Sequence, residues 1–146
     1  MGEPDINFYF DPVCPFAWMT SKWIRMVAAQ RDFTVDWRFI SLRMINAQVD
    51  YDSHFPSEYE AGHTAGLKLL RVAARARAEY GRSAVGPLYE AMGAQVFDTQ
   101  TDMDRGSREF VAPIVRSLGL PGALAEALTD ESLDSVIWGR LTKRCR

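Results

Sequence analysis

One sulfur in this 146-residue chain sits where it could react. Cys14 follows Phe10-Asp11-Pro12-Val13 and precedes Pro15-Phe16-Ala17-Trp18. Upstream, Ile6, Phe8 and Phe10 alternate with Asn7 and Tyr9, the period of a strand over residues 5–10. Downstream, Trp18, Met19, Ile24, Val27 and Ala28 recur at helical spacing. Strand, short turn and helix in that order place the thiol at a helix N-terminus. There the unpaired backbone N–H groups and the positive end of the macrodipole stabilise an anion. A free cysteine has a pKa of roughly 8.5, and such positions lower it to about 3.5–7.5, which makes thiolate available at neutral pH. Pro15 suits the first helical turn because the N–H it gives up would lack a partner anyway. The opposing view is a buried, inert cysteine acting as a small hydrophobe. The proline after it and the helix beyond weigh against that.

Other reactive types are scattered. His54 and His63 have no ligand partners at metal spacing, and a zinc site needs three or four ligands, so no metal is expected. Lys68, Arg71 and Arg75 share a helix face, with Arg82 beyond it. That face could grip the carboxylates of an acidic cofactor, but a solvated helix surface is the default. Asp11 could tune a thiolate or simply end the strand, and strand termination is the simpler role. Cys145 lies in a basic tail. Bridging to Cys14 needs Cα atoms within about 7 Å, and a resolving role is not expected of it.

The elements that must position Cys14 follow from the rest of the chain. The helix after it should run to about residue 30, laying Ala17, Ile24, Val27 and Ala28 on a sheet. Residues 34–42 alternate Val35, Trp37 and Phe39 with Asp36 and Arg38, a second strand. A strand–helix–strand unit of this length requires a parallel pair with a right-handed crossover. From Pro56 the period changes. Ser57-x-x-Glu60 fits a capping box, and Ala61, Ala65, Leu69, Val72, Ala73 and Ala76 continue a helix to about residue 80, ended by Gly81. Further helices are expected over 85–97, over 107–118 with Pro113 bending it or delaying its start, over 121–128 and over 130–142.

Hydrophobic content of 47% and charged content of 25% are ordinary for one globular domain. A net charge of −2 offers nothing to nucleic acid or an anionic membrane. No apolar run approaches the ~18 residues of a membrane span. The N-terminus lacks a basic-then-apolar leader, so a cytoplasmic location is expected. In a reducing compartment two cysteines do not make a disulfide framework.

These residues carry a resemblance. A strand ending in Phe10-Asp11-Pro12, then Cys14-Pro15, is similar to the start of DsbA-like thioredoxin-fold proteins. The stretch most resembles the actinobacterial mycothiol-dependent reductase branch, which reads F-D-P-x-C-P-W-C-W. Cys14 matches the attacking cysteine, Pro15 the proline, Phe16 the aromatic and Trp18 the later tryptophan. Ala17 stands where the resolving cysteine belongs, so a site of this kind is monothiol or inactive. The resemblance implies an α/β fold: an incomplete thioredoxin-like βαβ unit with a large all-helical DsbA-type insertion, predominantly helical by residue count. It implies a first thioredoxin half over 1–50, the insertion over 51–138 and an atypical basic tail over 139–146. The strands, cis-proline and helix that complete such a fold have no counterpart, which reads as a C-terminal truncation, with a frameshift as its source. Leu88-Tyr89-Glu90-Ala91-Met92-Gly93 also resembles part of the branch's insertion, although the histidine that often follows there is replaced by Gln95-Val96-Phe97.

The resemblance implies a thiol–disulfide oxidoreductase in which Cys14 and Pro15 are catalytic and Phe16 and Ala17 face substrate. Mycothiol or glutathione serves as co-substrate, and no cofactor is bound covalently. Kappa-class glutathione transferases and hydroxychromene carboxylate isomerases are similar too, with F-D-x-x-S-P-Y/F-A at this place. Their alanine matches Ala17, and their serine stands at Cys14. In that reading the residue stabilises a bound glutathione thiolate. A third reading is a catalytically impaired homologue. The expected partners are a low-molecular-weight thiol or disulfide and a second copy of the chain, as a homodimer or domain-swapped assembly. Two parallel strands with bare edges invite pairing and are too few for a stable sheet.

Overall fold

The computed structural model describes residues 3–144. β1 (Ile6–Phe10) and β2 (Val35–Phe39) pair in parallel, in register from Ile6 opposite Val35 to Phe10 opposite Phe39. The crossover between them is α1 (Pro15–Arg31). Because side chains alternate across a strand, Phe8, Phe10, Trp37 and Phe39 share one face of the sheet. Tyr89 stacks on Phe10 there at 4.0 Å between centroids, and Phe8 meets Trp37 edge-on at 5.1 Å. The opposite face carries Asp36 and Arg38. The buried Asp36 carboxylate accepts from Arg38 Nε at 2.9 Å, with Arg77 at 3.4 Å and Arg82 at 3.8 Å.

The second strand stops short of residue 42 because Ser41 begins something else. Its Oγ accepts the Met44 N–H and caps α2 (Leu42–Ile45), a one-turn helix. Asp50 caps α3 (Tyr51–His54) in the same manner. Both short helices escape a periodicity reading because one turn has no period to show. α4 (Tyr59–Tyr80) begins without the expected capping box. The Tyr59 N–H already bonds the Pro56 carbonyl, and Ser57 Oγ turns to the neighbouring Glu58 instead. Gly81 ends α4 at φ 92°, a backbone region that favours glycine.

α5 (Val85–Gly93) passes into a π-helical turn, Ala94–Asp98. α6 (Arg108–Ser117) is capped by Ser107 Oγ on the Phe110 N–H. Pro113 neither delays nor ends α6, since it lies on the exposed side, where the carbonyl it leaves unpaired reaches water. Residues Gly122–Thr129 form a 3₁₀ segment rather than an α-helix. Its buried pairs, Leu124-Ala125 and Ala127-Leu128, recur every three residues, the 3₁₀ period. A short 3₁₀ turn, Glu131–Leu133, leads into α7 (Asp134–Arg144).

α4 is the spine. Leu69, Leu70, Val72, Ala73 and Ala76 are buried where α4 packs against α5, α7 and the 3₁₀ segment, and the same core continues through Tyr89 to Phe10 and Phe39 of the sheet. The architecture is α/β and predominantly helical: an incomplete thioredoxin-like βαβ unit followed by a helical insertion.

Candidate active site

β1 ends at Phe10 and α1 starts at Pro15, so four residues turn the chain and deliver Cys14 to the helix start. Cys14 is the N-cap residue of α1, in extended conformation at φ −84° and ψ 112°, with Pro15 at the first helical position. Its carbonyl accepts the Trp18 N–H at 3.1 Å, and its own N–H donates to the Asp11 carbonyl at 3.0 Å. The sulfur makes no capping hydrogen bond. The helix therefore directs its positive end, and first-turn N–H groups that no cap side chain satisfies, toward a half-buried thiol. An anionic sulfur, or an anionic group bound to it, is what such a place accommodates.

The four motif residues divide by exposure. Pro15 is exposed and Phe16 is 83% exposed, while Ala17 is half-buried and carries no second thiol. Trp18 is core, as its position after the motif suggests. It stacks on Phe97 at 6.1 Å, meets Tyr89 edge-on at 5.8 Å, and its Nε1 donates to Asp98 Oδ1 at 3.4 Å. Gly93 makes this possible, because a Cβ there would lie 2.2 Å from the Trp18 ring. The buried face of α1 is consequently Trp18, Ser21 and Ile24, while Ala17, Val27 and Ala28 are only half-buried. Opposite that face Met19, Trp23 and Met26 continue the exposure of Phe16 in an apolar stripe.

Asp11 does more than end a strand. Its side chain is fully buried, with Oδ1 accepting the Val13 N–H at 3.0 Å and Oδ2 accepting the Leu42 N–H at 2.8 Å. Burial pushes its pKa up to about 6, against the opposing pull of those two N–H bonds. Tyr89 is the site residue that sequence reasoning left without a role. It is fully buried, stacked on Phe10, and Arg25 lies within 5.9 Å of its ring. Burial pushes its phenol up to about 12, with Ser21, Cys14, Arg25 and Asp11 as its electrostatic neighbours. The one available signal was its place in the stretch resembling the reductase insertion.

On the basic face of α4, Arg71 and Arg75 are engaged by carboxylates of this chain rather than free to grip a cofactor. Arg71 is buried and holds Asp134 through two bonds, at 2.7 and 2.9 Å, and the Leu128 carbonyl at 3.0 Å. Arg75 bonds Asp130, and Arg82 faces Asp36. His63 is held by the Tyr51 hydroxyl at 3.0 Å from Nδ1, inside a cluster of Tyr51, Phe55 and Tyr59. Among the described residues no three His, Cys, Asp or Glu side chains converge on a metal position. Cys145 lies outside the described residues.

The family described as "Rv2466c-like: Mycothiol-dependent nitroreductase Rv2466c" matches residues 13–143, a span that opens one residue before Cys14. An uncharacterized protein of Mycobacterium tuberculosis, Rv2286c, is 33% identical over 129 residues, an alignment that takes in 88% of this chain and 51% of that protein. The chain thus spans about half the length of this curated relative.

Proposed function

Because the chain belongs to the Rv2466c-like family of mycothiol-dependent nitroreductases, we propose that it takes part in mycothiol-linked thiol–disulfide exchange as a monothiol protein. The observation that carries this reading is a half-buried Cys14 at the N-cap of α1, flanked by an exposed Phe16 and with alanine where a resolving thiol would stand. The Cys14 thiolate attacks one sulfur of a small or mixed disulfide. A Cys14–S–S–R bond forms and the other sulfur departs as thiolate. With Ala17 unable to resolve the adduct, a second molecule of mycothiol attacks the R sulfur, forming a free disulfide and returning the Cys14 thiolate. Pro15 fixes the first turn, and Phe16 supplies an apolar surface beside the sulfur for the substrate. Glutathione fits the same chemistry, and the family favours mycothiol.

The DsbA-type relationship and a cytoplasmic setting belong to the same reading. No helix among the described residues is long and apolar enough to cross a membrane. The proposal also includes a second copy of the chain. Among the described residues β1 and β2 form the sheet alone, and α1 exposes Phe16, Met19, Trp23 and Met26. A two-stranded sheet and an apolar stripe are both surfaces that a second copy would cover.

Incubation with mycothiol disulfide, followed by intact mass measurement, tests the thiol step. In a Cys145→Ser background one mycothiol adduct per chain is expected, absent when Cys14→Ser is added and removed by excess mycothiol. Thiol binding without any adduct would instead favour the transferase-like reading, in which residue 14 only stabilises the thiolate of a bound co-substrate.

A further inference from the structure

Behind the thiol, three parts of the chain meet at one carboxylate. Asp11 Oδ1 accepts the Val13 N–H, its carbonyl accepts the Cys14 N–H, and Oδ2 accepts the Leu42 N–H at the start of α2. The seat is closed from the other side by α4. A Cβ at Gly66 would lie 2.5 Å from Asp11 Oδ1 and 2.7 Å from a Val13 methyl, so only glycine lets the turn rest there. A carboxylate that merely ended a strand would face water. This one is fully buried and ties both residues before the helix to a separate corner of the fold. We propose that Asp11 is a positioning residue for Cys14, whose ionised carboxylate holds residues 12–14 against α2 and α4 and so sets the direction in which the sulfur is presented. This rests on Cys14 being the reactive thiol.

The groups facing Asp11 are few. Tyr89, from α5, has both Asp11 and the N-cap residue Cys14 among its electrostatic neighbours. α4 brings Gly66, and α2 brings the Leu42 N–H, with Arg43 turned away to Glu60 and Tyr51. Protonation of Asp11 converts one of its two acceptor oxygens into an O–H, leaving a backbone N–H poorly matched and the turn looser. Asn at this position has the same defect permanently, since its NH₂ must face one of those N–H groups.

The experiment is the alkylation rate of Cys14 by iodoacetamide against pH in a Cys145→Ser background, divided by the thiolate fraction read from absorbance near 240 nm. The wild-type side chain should give a thiolate-normalised rate that changes across a midpoint near pH 6. Asp11→Asn should lack that midpoint and change the high-pH rate by roughly tenfold, the loss of one charge-assisted bond. A normalised rate flat between pH 5 and 8 in the wild-type protein overturns the proposal without any variant, as does an Asp11→Asn profile superimposable on it. Absence of any mycothiol adduct at Cys14 overturns the exchange chemistry, whereas an intact adduct with a flat profile removes only the role of Asp11.

Discussion

At the scale of the residue, the buried Asp11 carboxyl carries a pH response whose sign follows from its burial. The Asp11 pKa is raised from 3.8 to about 6 by burial, so the folded state binds a proton more tightly than the unfolded chain. Its contribution is fully present below about pH 4, is lost as pH rises through about 6, and is flat above. Relative to Asp11→Asn, which does not titrate, wild-type stability should fall by on the order of 3 kcal/mol across that window. Urea titrations of both proteins at pH 4, 5, 6 and 7 read the difference directly, and a difference that grows with pH would contradict the assignment. Phe16 makes the complementary case. At 83% exposure it adds little to the core, so Phe16→Ala should change stability by less than about 0.5 kcal/mol while slowing adduct formation with mycothiol disulfide. A melt paired with a rate measurement separates packing from contact with the co-substrate.

Between elements, the contacts that orient α1 are steric and ionic. Trp18 enters a notch that exists because residue 93 has no side chain. Gly93→Ala places a methyl group inside the Trp18 ring, and a loss of about 1–3 kcal/mol is expected, with a shift in tryptophan emission as the indole moves. α4 is fastened to α7 and to the 3₁₀ segment before it by Arg71, which reaches Asp134 twice and the Leu128 carbonyl once. Arg71→Ala leaves a partly buried carboxylate and a buried carbonyl without their donor, so a loss of about 3 kcal/mol is expected by chemical denaturation. Arg71→Lys should recover less than half of it, because an ammonium cannot make the paired contact.

For the molecule as a whole, the half of the fold that carries Cys14 is its least enclosed part. Two parallel strands form the sheet among the described residues, and α1 turns Met19, Trp23 and Met26, each more than half exposed, to solvent. The core that runs through α4, α5 and α6 reaches Phe10, Trp18 and Phe39 but leaves that outer face of α1 uncovered. Association through the strand edge and the α1 stripe is therefore expected to appear as a dimer in sedimentation velocity. Trp23→Lys combined with Met26→Lys should move it to monomer without lowering helix content. A wild-type chain that sediments as a monomer at all concentrations would remove the second copy from the proposal.

Local signals in the sequence determined a good deal: the two alternating strands, the helix between them, the thiol at that helix start, and the long α4 with its terminal Gly81. Each is written in neighbours, as a period of two, a period near 3.6, a proline at a first turn or a glycine at a left-handed position. What needed the tertiary structure depends on residues far apart in the chain. Asp11 becomes a junction only when Leu42 and Gly66 arrive beside it, and Ala17, expected on the sheet, stays half-buried while Trp18 fills the slot that Gly93 opens. Arg71 and Arg75 look like a solvated face until Asp130 and Asp134 fold back over them. The capping box at Ser57 gave way to a turn from Pro56, and the expected helix over 121–128 tightened to the three-residue period of its buried pairs. Short-range order is set by the backbone's own preferences. The partner of a charge or a ring is chosen by burial, which penalises any polar group left unpaired and any volume left unfilled.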